Sequence, residues 1–466
     1  MNRPNILFIC TDQQSGFATG HAGNEWLSTP HMDSIAQSGV SVTQSFCTYP
    51  VCSAARASHF TGLMPHRNGV TRNGLPLTSE ASDMMGPTFR RAGYETVWAG
   101  KWHIPEWFPT EEDTVPGFHC VPLQKGPDKK RDRGYTEEAI RFLRRTHGRP
   151  FLLSLQLHDP HEICSLFHED LPKIDFPPDD KLPPVPENHK AIPDEPDVIK
   201  QFRIDELQGY REVHTWDDEQ WSRFRRLWDR YREDGDQEAA QTLRLMRKDR
   251  WTDRDWRRYL YVYYRLVERA DRNIGRVLDA LRENGLEENT LVVFTSDHGD
   301  GMGAHGWTRK MMFYEECVRV PLHMSWGGMI PPDFRDEDHL VSGVDLFPTL
   351  CDYAGIEPPE DIAGQSVKPV IENPEEPGRD CLVGEMTSLQ NLTDEKWEGR
   401  MLRTPSYKYV VFNGDERGEM LFDLEADPLE TSNVAGEARY EGLKNELEGK
   451  LQGWCRATDD DFCPRP

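Results

Sequence analysis

No stretch of this chain approaches the roughly 18–20 consecutive apolar residues that a membrane-spanning helix needs, although the chain runs to 466 residues. The first apolar run, Ile6 to Thr11, is short, and no small-residue cleavage site follows it, so no secretory leader is expected there. Cations are scarce as well. Lys and Arg number 55 against 80 Asp and Glu, a net charge of −25. That balance argues against a nucleic-acid binder, whose affinity comes from neutralising phosphates, and against a polybasic membrane anchor. An anionic substrate must then be drawn in by a local cluster of cations. The ten cysteines form no CxxC pair and no dense framework, so a reduced, cytoplasmic protein is expected. The sequon Asn391-Leu392-Thr393 is accidental in that setting. No internal repeat is visible.

What is present reads as α/β. Ile6 to Cys10 is continuously apolar, the pattern of a strand buried on both faces of a parallel sheet, and it ends at Thr11-Asp12-Gln13-Gln14. Strand-then-polar-tip units recur at Glu95 to Ala99, Phe151 to Leu157 and Leu291 to Thr295. A short helix is expected from Pro30 to Gly39, capped at Thr29. A long one is expected over about Asp255 to Asn284, with Leu260, Tyr264, Val267, Ile274, Leu278 and Leu281 on one stripe. Alternating strands and helices predict a large, mostly parallel sheet sandwiched by helices. Residues 172–196 are rich in proline and acid and read as an irregular surface excursion. Residues 198–254 are densely charged, with Trp216, Trp221, Trp228 and Trp251 interleaved and Trp256 beyond. They read either as a helical insertion with its tryptophans inward or as a lid meeting a sugar. After Gly355, short strand-like pieces around Leu402, Tyr409 and Leu421 precede a helical tail, about Glu437 to Trp454. The expected division is a catalytic α/β domain over 1–370, with an insertion at 165–255, and a smaller antiparallel sheet plus helix over 371–466.

The chemistry-bearing residues gather at the strand tips, where such sheets place ligands. Asp12 and Gln13 follow one buried strand and Asp297-His298 another, and two carboxylates on one sheet edge can share a divalent cation. Taken singly, each Asp is equally a cap or turn former. Strand alternation sends Lys101 and His103 to the same side beyond Glu95 to Ala99. His158 and His161 follow Phe151 to Leu157, and His305-Gly306 precedes Lys310. Cys52 stands in Cys52-Ser53-Ala54-Ala55-Arg56, a weak pattern alone that also suits a buried structural cysteine.

Taken in order, these segments resemble the type I sulfatases. The match comprises the opening strand with Asp12, the Cys52 pentapeptide with Thr61-Gly62 behind it, Gly93-Tyr94 through Lys101 and His103, Pro160-His161, Ser296 to Asp300, and His305 to Lys310. It continues through Val344 to Leu350 and Asp423 to Pro428, covering nearly the whole chain outside 165–255. The resemblance implies an alkaline-phosphatase-like fold and oxidation of Cys52 to Cα-formylglycine by a separate maturation enzyme. It implies a calcium ion, or alternatively manganese or magnesium, held by Asp12, Gln13, Asp297, His298 and the modified Cys52. Arg56 would hold the aldehyde hydrate, and Lys101 and Lys310 would clamp the sulfate. His161 or Lys310 would protonate the leaving alcohol, and His103 would act as base for the second hydroxyl. His305 is read either as a leaving-group contact or as structural, and His158 is unassigned. Gln13 and His298 stand where many relatives have Asp and Asn, which leaves the metal open, and Ala54 replaces the commoner Pro. The expected activity is hydrolysis of a sulfated carbohydrate, with a phosphonate or phosphate mono- or diesterase of the same superfamily as the alternative.

Overall fold

The computed structural model of the chain describes residues 3–462 apart from 79, 107, 110, 112–113, 122–130, 165–173, 191, 193, 197, 200–222, 224–225, 228–229, 231–250, 388–396 and 414–417. Trp216, Trp221, Trp228, most of the 165–255 insertion and the Asn391 sequon lie outside the described residues.

The described strands are β1 (Asn5–Asp12), β2 (Val40–Val42), β3 (Ser45–Phe46), β4 (Glu95–Gly100), β5 (His119–Cys120), β6 (Phe151–Pro160), β7 (Thr290–Ser296), β8 (Leu322–Ser325), β9 (Phe334–Asp336) and β10 (Val341–Ser342), followed by β11 (Leu382–Thr387), β12 (Glu398–Arg403), β13 (Tyr407–Asn413) and β14 (Gly418–Asp423). The main sheet has the order β5-β4-β6-β1-β7-β8-β2-β9. It is parallel except that β8 runs against both β7 and β2. Every residue of β1 is buried, and alternation divides them. Ile6, Phe8 and Cys10 enter the core on one face, Leu7 and Ile9 the core on the other, as a doubly covered strand requires.

The helix Asp253–Glu283 covers the second face. It starts with a reciprocal cap, Thr252 accepting from the Asp255 backbone while its own N–H donates to the Asp255 carboxylate, which satisfies two of the otherwise orphaned donors. Its buried stripe runs through Leu260, Tyr263, Val267, Ile274, Val277 and Leu281. Leu278 is only partly buried, so the stripe turns through Val277 there. Trp251 and Trp256 pack inward, with ring centroids 4.7 Å apart, the structural reading for these two. The first helix is Pro30–Gln37, but the Thr29 hydroxyl donates to Asp33 instead of capping it. Between 174 and 190 the only regular element is a single 3-10 turn, Asp179–Lys181.

β11 to β14 form an antiparallel sheet. One face (Leu382, Met386, Met401, Val410, Phe412) shares a core with Phe46, Phe313 and Cys317 of the main body. The other packs Val383, Leu402, Tyr409 and Leu421 against Leu447, Leu451 and Cys455 of the helix Glu441–Thr458. That helix begins four residues later than expected because Ala438–Tyr440 is a 3-10 turn. Lys408 of β13 is fully buried and bridges Glu315, at 2.8 Å, and Glu430, at 2.7 Å, tying the sheet to the body.

A second tie reaches the segment behind Cys52. The helix Cys52–Thr61 ends at Gly62 and is followed by the turn Pro65–Asn68. There the His66 Nδ1 lies 2.6 Å from Glu385 of β11, and its Nε2 lies 3.0 Å from the Thr458 carbonyl. Both partners only accept, so both nitrogens must carry protons. Burial disfavours the imidazolium, yet Glu385 outweighs it and raises the pKa. A raised pKa gives stability that is complete below about 6.5, the unfolded value, and is lost as pH climbs through the folded value. The stability gap between the parent and His66→Ala, read by chemical unfolding, should therefore be wide at pH 6 and shrink by about 1–2 kcal/mol in alkali, the scale of a charged hydrogen bond. An unchanged gap contradicts this role.

Candidate active site

Parallel pairing brings the tips of three neighbouring strands to one edge. Thr11 of β1 pairs with Ser296 of β7, and Asp12 with Pro160 of β6, so Asp12, Asp297 and His161 emerge together. The helix Cys52–Thr61 sets its N-terminus against that edge, with Cys52 in its first turn. Arg56 is one turn on and therefore on the same helix face. It is fully buried and donates from Nε to Asp297 at 2.8 Å, from Nη2 to Asp12 at 3.2 Å, and from Nη1 to Gln156 at 2.7 Å. Gln156 was not singled out from sequence. Its signal was present: a lone amide inside the apolar strand Leu152 to Leu157 needs a partner when buried.

Lys101 and His103 arrive by a different route from the one expected. β4 stops at Gly100, where φ is 130° and a Cβ would meet the Gln156 carbonyl at 1.9 Å. His103 adopts a left-handed φ of 69°. A turn, and not strand alternation, thus delivers both side chains. Lys101 Nζ reaches Asp12 at 2.5 Å.

The thiol of Cys52 is the point of convergence. Its Sγ lies 2.8 Å from Lys310 Nζ, 3.2 Å from His298 Nε2 and 3.6 Å from Asp12 Oδ1. The side chains of His103 and His161 also hydrogen-bond it. All these residues are buried. Burial pushes the thiol pKa up, but Lys101, Lys310 and His298 outweigh it and hold it well below the ordinary value. Burial and the Cys52 charge likewise oppose ionisation of Asp12, and the cations around it, Lys101 foremost and Arg56, overcome them. Asp297 is raised by burial and by Asp12. Burial and the charges of Lys310 and Lys101 push His161 down to about 3, leaving it a neutral imidazole. His103 is lowered by burial, against its bond to Cys52. The His158 ring lies tilted at 46° to that of His161, with centroids 4.9 Å apart, and its Nε2 faces Glu162 at 3.7 Å.

Asp12, Cys52, Asp297 and His298 place one donor atom each within 4.8 Å of one another. This set fits a divalent cation. Two carboxylates supply hard donors, and His298 is oriented by an Nδ1 bond to the Gly299 carbonyl at 2.8 Å, the outer contact that metal-binding imidazoles commonly make. The raised Asp297 pKa marks a pair of carboxylates that another cation would let ionise together. Gln13 touches the cluster through its backbone N–H, which donates to Asp297 at 3.0 Å, while its side-chain amide donates to Asp300 at 2.8 Å. His305 does not join it. It is fully buried, stacked on Tyr314 at 3.9 Å, and bonded to Asn188, in a separate group with Glu316 and Glu430. Of the two readings of His305, a leaving-group contact or a structural role, these contacts favour the structural one.

A lowered pKa means that unconverted Cys52 is a thiolate at neutral pH. In metal-free protein, the ultraviolet thiolate signal lost on Cys52→Ser should persist well below pH 8. It should shift to higher pH in Lys310→Met, which removes the cation against Sγ. Titration near the ordinary cysteine value in the parent would contradict this electrostatic account.

The sulfatase family profile matches residues 4–356, and a profile for the C-terminal part of N-sulphoglucosamine sulphohydrolase matches 303–456. An N-acetylglucosamine-6-O-sulfatase of Bacteroides thetaiotaomicron is 28% identical over 97% of this chain and 86% of its own length. A Delta 4,5-hexuronate-2-O-sulfatase of the same organism is 27% identical over 99% and 90%. A solved structure in complex with its substrate D-glucosamine-2-N,6-O-disulfate has a TM-score of 0.77 at 26% identity, covering 98% of this chain and 99% of that one. With the strand-tip cluster around Cys52, these matches place the chain in the sulfatase family, as a sulfuric ester hydrolase of the alkaline phosphatase superfamily.

Proposed function

We propose that the chain removes sulfate from a sulfated carbohydrate after a maturation enzyme has oxidised Cys52 to formylglycine, with a divalent cation held by Asp12, Gln13, Asp297, His298 and residue 52. Calcium suits the two carboxylates, and His298 also admits manganese. The observation that carries this reading is the convergence of Lys310, His298, Asp12, His103 and His161 on Cys52 Sγ. When present, the hydrated aldehyde supplies an attacking hydroxyl and the cation polarises the sulfate.

The protein's own residues do the rest. Arg56 bridges the two carboxylates and aims the Cys52 helix at the strand tips. Lys101 and Lys310 hold the peripheral sulfate oxygens, where charge accumulates as the sulfuryl group moves between two oxygens in line. Lys310 is suited to a fixed charge. In the unconverted chain burial opposes its ammonium, and the charges of Cys52 and Asp12 raise its pKa above the ordinary value; in the converted enzyme Asp12 and the bound sulfate would hold it charged. His161 donates the proton to the departing sugar oxygen once the anionic sulfate between the lysines offsets their charge. His103 takes a proton from the side chain of residue 52 as sulfate leaves.

Support for an amino sugar or uronate substrate comes from the names of the relatives and from the sulfated glucosamine bound in the similar structure. The test is co-expression with a formylglycine-generating enzyme, mass spectrometry of the Cys52 peptide, and a panel of sulfated mono- and disaccharides beside an aryl phosphodiester. The expected outcome is conversion of thiol to aldehyde, preference for a sulfated sugar over the phosphodiester, and a loss of about 10³-fold or more in Cys52→Ala. Full activity with an intact thiol, or preference for the phosphodiester, overturns the proposal.

A further inference from the structure

Gln13 is held more tightly than its position after a strand demands. Its φ is 70°, in the left-handed region. Its N–H donates to Asp297 at 3.0 Å, and its carbonyl accepts from the Tyr263 hydroxyl at 2.8 Å. Its side-chain Nε2 donates to Asp300 Oδ2 at 2.8 Å. Both amide atoms lie 3.6–3.7 Å from Cys164 Sγ, a contact that does not tell oxygen from nitrogen.

Asp300 does tell them apart. Its carboxylate is fully buried and accepts from the Tyr259 hydroxyl at 2.8 and 3.1 Å, from Met302 N at 2.8 Å and from Arg309 N at 3.1 Å, besides Gln13. Three of those contacts fall on the oxygen that faces Gln13. With donors all round it, that oxygen can only accept, so it binds the amide nitrogen and leaves Oε1 as the atom offered elsewhere. We propose that Asp300 is a positioning residue for the metal centre, locking the Gln13 amide so that Oε1 is presented to the cation and Nε2 is not. The inference rests on the reading of Gln13 as a ligand. It also accounts for an amide at position 13, because a carboxylate there would face the Asp300 carboxylate at hydrogen-bond distance, where like charges repel.

The experiment is a titration of the full chain with Mn2+, read by the electron paramagnetic resonance of free Mn2+. Asp300→Ala removes the acceptor that holds Nε2 and should free the Gln13 amide to turn, weakening Mn2+ about 10-fold or more, the scale of outer contacts at metal sites. In a Gln13→Ala background the same change should cost nothing further. Gln13→Glu should bind Mn2+ more weakly than the parent and regain affinity when combined with Asp300→Ala. If Asp300→Ala does not fold, Gln13→Glu alone decides. Parental affinity in Asp300→Ala or in Gln13→Glu, or an equal loss in the Gln13→Ala background, overturns the positioning role while leaving the metal centre standing. A parent that binds no Mn2+ overturns the metal reading and this inference with it.

Discussion

The fork of Arg56 onto Asp12 and Asp297 is the interaction on which the rest of the site depends. All three side chains are fully buried. Two carboxylates and a guanidinium out of water would each carry a desolvation penalty of several kcal/mol, roughly, if left alone, and removing one partner of such a pair costs about 3–5 kcal/mol. The fork also fixes geometry. Arg56 belongs to the Cys52 helix, Asp12 and Asp297 to the tips of β1 and β7, and Gln156 to β6. One side chain therefore docks the helix onto three adjacent strands, and the helical repeat then sets where Cys52 stands.

Charge is arranged around that docking point in two parts. Asp12, Cys52, Asp297 and His298 form the group that could hold a cation, and positive charge answers them from Lys101 on Asp12 and Lys310 on Cys52. A chain of net charge −25 repels an anionic ester at long range, so the local lysines and a bound cation must supply its attraction. Their burial strengthens them, because low-dielectric surroundings screen a charge less than water does. The same burial, with the charges of Lys310 and Lys101, holds the His161 pKa down to about 3.

Much of this was legible in the sequence because it is written in short-range rules. Apolar runs ending in Asp12 and Asp297 marked buried parallel strands, and their shared edge followed from parallel pairing. The four-residue step from Cys52 to Arg56 is helical periodicity. What was not legible depends on contacts between distant segments. Asp300 lies 287 residues from Gln13 and 41 from Tyr259, and nothing local marks it as the partner of either. Lys101 and His103 were assigned to the right place by the wrong geometry, because the close approach of the Gln156 carbonyl stops β4 at Gly100. His305 follows a strand tip in sequence and sits in the same run as Lys310, yet its ring is committed to Tyr314 and Asn188, a choice made by tertiary packing alone.

The central claim is that residue 52 stands between a cation site and a pair of sulfate-binding lysines. Anomalous diffraction from crystals of the formylglycine-converted chain, grown with Mn2+ and sulfate, tests it most directly. The account predicts a manganese peak among Asp12, Gln13, Asp297, His298 and residue 52, with sulfate oxygens on Lys101 and Lys310. A manganese peak elsewhere, or a sulfate that touches neither lysine, would contradict it.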